Sequence, residues 1–191
     1  VLFIALSAGA LLWLWRRLDW SVLRYPLLGL LPAAALLSLN IFDAWPSTHF
    51  FARWGALPWL LVFAVQYRLL WRVEGSFSER MLRFGHSATL WLLLLILVQE
   101  VHWWIETAMQ GKGIWTFASL ALVPAAVVVL LLRQGERLRW PVRRWLATYQ
   151  GEALLPVVGL MFGWSLIAAF NAGDPWPLPY VPLVNPLELG Q

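Results

Sequence analysis

Nineteen consecutive residues, Ile114 to Leu132 (IWTFASLALVPAAVVVLLL), carry no charged side chain. A helix that is apolar on every face has to be surrounded by protein or by lipid. About 20 residues at 1.5 Å rise cross the roughly 30 Å of bilayer hydrocarbon. A second run, His86 to Ile105, has nearly the same length and is interrupted only near its end. Four shorter apolar segments cover Val1 to Trp15, Pro26 to Phe42, Trp54 to Tyr67 and Ala153 to Phe170. Together they predict an all-α fold, a polytopic transmembrane bundle of about six helices over residues 1–191. Only 14 residues separate Arg53 from Arg68, so the third span requires snorkelling arginines or a thinned bilayer. With 61% hydrophobic and 13% charged residues, the composition excludes a water-soluble fold. The chain has no cysteine, which excludes disulfides, thiolate nucleophiles and thiolate metal sites.

The charges test the division independently. The connections after the first, third and fifth segments hold Arg16, Arg17 and Arg24, then Arg68, Arg72, Arg80 and Arg83, then Arg133, Arg137, Arg139, Arg143 and Arg144. The other two hold only Arg53 and Lys112, so the 14 basic residues divide twelve to two. By the positive-inside rule the twelve face the cytoplasm of a bacterial inner membrane, and the chain start and Pro-rich tail face outward. The basic residues thus belong to topology, and no nucleic-acid partner is expected. Of the 15 tryptophans, Trp13, Trp15, Trp20, Trp71, Trp140 and Trp145 fall near predicted inner ends. Trp45, Trp54, Trp103, Trp104, Trp115 and Trp176 fall near outer ones, as interfacial aromatic belts do.

Local signals refine the boundaries. SFSE offers Ser76 and Glu79 as a capping box ahead of the fourth segment, placing that helix's start on the membrane surface. Between Pro141 and Tyr149, the apolar Val142, Trp145, Leu146 and Tyr149 recur at helical spacing beside Arg143 and Arg144. That pattern fits either a short helix lying on an anionic leaflet or a solvated arginine loop. Asn185, Pro186 and Glu188 have the order of a helix start after the Pro-rich outer connection 171–185. Val1 already lies within an apolar run, and both ends predict a fragment of a longer polytopic protein.

Chemistry-bearing residues gather in LVQEVHWWIE. At about 100° per residue, Gln99, His102, Trp103 and Glu106 share one face of the fourth helix, with Glu100 at its edge. Glu100 sits five residues from the helix end, roughly 7 to 8 Å deep. Asn40, Asp43, Asn171 and Asp174 map to the same outer level, and no comparable cluster is expected mid-membrane. One reading has Glu100 and His102 satisfying backbone, water or a neighbouring polar group. The other has them lining an outward cavity that moves protons or binds a polar solute. His102 and Glu106 have chelating i, i+4 spacing, but no second histidine follows, so no metal site is predicted. Nucleophilic triads and Gly-rich phosphate loops are absent, and no cofactor is called for. Gly159 and Gly163 have the spacing of a close helix contact. Pro32, Pro58, Pro124 and Pro156 fall inside predicted helices, where freed carbonyls can serve hinges or ion sites.

The strings DPWPLPYVPLVNPLELGQ, WGALPWLLVFAVQYRLLWRVEG and HSATLWLLLLILVQEVHWWIE resemble the bacterial membrane family called domain of unknown function 2339, over about Asp43 to Gln191. The resemblance implies a long all-helical inner-membrane protein with many spans and no assigned activity. Its partners would be the bilayer and the remaining helices of the same chain. Three function classes remain: a structural or assembly component of the envelope, a transporter or channel, and a membrane enzyme using Glu100 and His102. Outer connections of roughly ten residues leave little room for an enzyme's substrate loop, which lowers the last.

Overall fold

A computed structural model describes residues 1–43, 48–110, 112 and 114–170, with the side chains of 21, 24 and 40–43 left out. The helix start expected at Asn185, Pro186 and Glu188, and the connection 171–185, lie outside the described residues. Among the described residues every regular element is helical. They are α1 (Leu2–Leu18), α2 (Arg24–Leu28), α3 (Leu30–Asp43), α4 (Ala56–Val73), α5 (Glu79–Met109), α6 (Trp115–Gln134), α7 (Leu146–Thr148) and α8 (Leu154–Ala169). A π-helical segment, Tyr149–Ala153, joins α7 to α8. The chain divides into two compact units, Val1–Leu92 and Leu93–Gln191.

Among the described residues, three helices are long and apolar enough to cross a membrane: Glu79–Met109, Trp115–Gln134 and Leu146–Ala169. The sequence predicts six spans, and the other three segments differ for local reasons. The first has 17 helical residues. The second breaks at Gly29 into pieces of 5 and 14 residues. The third extends to 18 residues by running through Arg68 and Arg72. Two of the three are little enclosed, with 22% of the α6 window and 28% of the Leu146–Ala169 window buried. Leu155, Leu160, Phe162 and Phe170 point outward. In water such faces would each forfeit about 25 cal/mol per Å² left wet, whereas hydrocarbon accepts them. The protein is an integral membrane protein of helices.

In the first unit α1 packs on α4 through small residues. Ala5 and Ala8 are buried, and a Cβ added at Gly9 would lie 3.8 Å from Val65. Further along, the Arg72 guanidinium lies 4.6 Å from the Trp15 ring centroid. Both contacts advance together along the two helices, so α1 and α4 run parallel and end on the same side. On α4, Trp59, Val62, Phe63, Gln66, Leu69, Leu70 and Val73 are buried at helical spacing. α5 returns antiparallel: Gln66 meets Thr89 and Leu70 meets Gly85, four residues on along α4 and four back along α5. Ahead of α4, Gly55 is required, because a Cβ there would collide with the Phe50 carbonyl oxygen.

In the second unit α6 and α8 are antiparallel. The Trp164 indole donates to the Phe117 carbonyl at 3.1 Å and stacks on Phe117 with centroids 5.2 Å apart. At the other end Gln150 donates to the Leu131 carbonyl at 2.9 Å. Leu131 is in the last turn of α6, and its carbonyl accepts from both the Gly135 N–H of the cap, at 3.1 Å, and Gln150. Ala121, Trp164 and Ala168 form the apolar centre, with Phe117 and Leu120 beside it.

Several local expectations are corrected. The α5 cap is Ser78, whose Oγ accepts from the Met81 N–H at 3.4 Å, and not Ser76, because the helix starts at Glu79. Pro32 and Pro58 are third residues of α3 and α4, where a missing N–H breaks no bond. Pro156 is likewise third in α8, but behind a π-helical segment, whose wider turn accommodates the interrupted ladder. Pro124 alone among these four is interior to its helix. Around Gly159 and Gly163 a Cβ would meet no described atom within 4 Å. The stretch after Pro141 is turns followed by the three-residue α7, and that turn of helix continues directly into the span.

Candidate functional site

α5 carries the sequence-predicted residues in its last turns, and α6 begins a few residues later, so the two helix ends adjoin. Glu100 is only 4% exposed. Its Oε1 accepts from the Trp104 indole of the next turn at 2.8 Å, an i, i+4 pair that satisfies one carboxylate oxygen without leaving the helix. His102 reaches across to α6. Its Nδ1 lies 2.9 Å from the Thr116 carbonyl and 3.1 Å from the Ser119 hydroxyl. Ser119, itself fully buried, donates to the same carbonyl at 2.6 Å. A carbonyl can only accept, so this arrangement places a proton on Nδ1. The other ring nitrogen, Nε2, then faces Glu106 Oε2 at 3.8 Å, a distance at which the pair attracts when the imidazole is charged. That carboxylate oxygen is buried and has no hydrogen-bond partner among the described residues.

Of the predicted residues, the structure therefore brings His102 and Glu106 together and leaves Glu100 on the other side, with Trp104. Gln99 is half-buried on the same helix. Asn40, Asp43, Asn171 and Asp174 fall outside the described side chains. Chemically, the arrangement can hold two helix ends together through the bonds of His102 to Thr116 and Ser119. Two ligands at this separation fall short of a metal site, and no group of three His, Asp or Glu residues with metal-binding geometry occurs among the described residues.

A second polar set was not expected from the sequence. Gln66, His86, Ser87 and Thr89 are all buried within the first unit. Thr89 donates to the Gly85 carbonyl at 2.6 Å and accepts weakly from Gln66 Nε2 at 3.4 Å. The Tyr67 and His86 rings lie 6.5 Å apart. Gln66 Oε1 and Ser87 Oγ are buried without hydrogen-bond partners among the described residues. A usable signal existed: the short connection 74–78 forces α4 and α5 into an antiparallel pair, which sets Gln66 opposite Thr89. Polar residues that pair across a tight turn belong to one site even when each helix alone looks apolar.

No curated protein and no solved structure matches the chain. A family model described as "Predicted membrane protein (DUF2339)" matches residues 1–191, extending the likeness read from Asp43 onward through α1 to α3. Across all of its helices, this chain belongs to the predicted membrane protein family DUF2339.

Proposed function

We propose that this chain is a structural or assembly component of the cell envelope, built into the bacterial inner membrane as a bundle of about six spans. The bilayer and further helices of the same longer protein are its partners. The observation that carries this reading is the use of His102: its Nδ1 is committed to Thr116 and Ser119 of the neighbouring helix. Glu100 is likewise engaged by Trp104. Polar groups in hydrocarbon have to be satisfied, and cross-helix bonds of this kind hold membrane helices together where no hydrophobic force does. His102→Ala and Glu100→Gln test it. Reduced yield of folded protein, with envelope integrity falling in proportion, is the expected result. Normal amounts of folded protein with an envelope defect would overturn it.

A second reading, passage of a small polar solute, is favoured by one observation, the buried and unpartnered Gln66 Oε1 and Ser87 Oγ. Such groups are unfavourable in apolar surroundings unless water or solute visits them. Gln66→Leu and Ser87→Ala in proteoliposomes would alter solute flux on this reading and leave it unchanged on the first.

A further inference from the structure

The shared carboxyl-terminal end of α1 and α4 contains three arginine–tryptophan pairs. Arg17 lies 5.6 Å from the Trp13 ring, Arg68 4.3 Å from Trp71, and Arg72 4.6 Å from Trp15. Trp15 is buried between the helices, whereas Trp13 and Trp71 are 56% and 49% exposed. Arg68 and Arg72 stand one turn apart on α4, on neighbouring lines of the same helix face. Among the described residues no carboxylate forms an ion pair with either. Arg72 Nε is enclosed and has no hydrogen-bond acceptor among the described residues. Glu74, just beyond α4, is near enough to His86 to act on it electrostatically.

We propose that Arg68 and Arg72, braced by Trp71 and Trp15, form a binding site for the phosphate headgroup of an anionic phospholipid. A planar guanidinium stacked on an indole keeps its N–H edge free, and that edge matches the oxygens of a phosphate. Interfacial tryptophans set the site at headgroup depth. Each helix terminus contributes about half a negative charge there, which the two guanidinium groups outweigh about twofold even when both helices count. Arg16 and Arg17, both exposed at the end of α1, add to the positive field. Basic pockets between membrane helices bind anionic headgroups in this way.

Native mass spectrometry of the intact protein released from membranes tests the site. Arg68→Gln with Arg72→Gln lowers retention of phosphatidylglycerol or cardiolipin on the order of twentyfold. The control, Arg137→Gln with Arg139→Gln, removes the same charge from the α6–α7 connection and leaves retention unchanged. Equal loss in both variants would overturn the proposal in favour of a diffuse electrostatic layer. Should the glutamine variant not fold, Arg68→Lys with Arg72→Lys keeps the charge but removes the stacked, forked donors, and partial loss is expected; unchanged retention counts against the site. The unaltered protein supplies a further measurement, with a melting temperature higher in phosphatidylglycerol nanodiscs than in phosphatidylcholine ones. No difference, or an equal rise on adding inorganic phosphate to phosphatidylcholine nanodiscs, would exclude a lipid as the ligand.

Discussion

Trp164 illustrates how one buried side chain can supply two kinds of contact at once. Its ring stacks on Phe117 while its N–H meets the Phe117 carbonyl, so one side chain provides both contact area and a directional bond. Trp164→Phe keeps the ring contact and removes the bond, and the expected cost is about 0.5 to 1.5 kcal/mol in a detergent unfolding titration. Gln66 behaves in the opposite sense. With its Nε2 bond at 3.4 Å and its Oε1 unpartnered, it is only partly satisfied. Replacing a half-satisfied buried group by an apolar one of similar size is close to neutral or stabilising, so Gln66→Leu is expected to raise the melting temperature or leave it unchanged. A marked fall would show that an unseen partner, such as water, completes the site.

At the scale of elements, small residues decide which helices approach. Three glycines, Gly9, Gly159 and Gly163, look equivalent in the sequence, because spacing specifies a smooth strip without saying what lies against it. Gly9 faces α4, with room for a methyl group but little more. Gly9→Ala is therefore tolerated, whereas Gly9→Leu overpacks the α1–α4 seam and costs about 1 to 3 kcal/mol. Gly159→Leu meets no described atom and leaves stability within about 0.5 kcal/mol. Parallel melts of the three variants check the contrast, and a large loss at Gly159 would reveal another helix docked there. The α5 cap is a smaller effect: the Ser78 bond is long and exposed, so Ser78→Ala falls near the lower end of the usual 0.5 to about 2 kcal/mol.

For the whole molecule, membrane character follows from faces that are apolar and uncovered. Within the first unit, α1 and α4 end together, which collects Arg16, Arg17, Arg68 and Arg72 at one level. Within the second, the α6–α7 connection carries Arg137, Arg139, Arg143 and Arg144, while His102 lies at the opposite end of α6. Which side these arginines face is decided by labelling, and the positive-inside rule gives the expected outcome. Cysteines introduced at Ser76 and Gly173 are expected to differ toward an impermeant thiol reagent applied to intact cells, with only the second labelled. Labelling at position 76 from outside would reverse the orientation.

The linear chain by itself determined the class, the family and the succession of apolar segments, since length, hydrocarbon content and charge placement act locally and survive any arrangement of the helices. It also located His102 and Glu106 on one helix face, because i, i+4 geometry is intrinsic to the helix. Tertiary structure alone decided the partners. Whether His102 meets Ser119, whether Gln66 meets Thr89, and whether Gly9 or Gly159 receives a neighbour depend on how helices pair. Lipid tails solvate an apolar face as well as another helix does, so hydrophobicity cannot rank those pairings. Close packing and the satisfaction of a few buried polar groups rank them instead, and both are properties of two surfaces brought together.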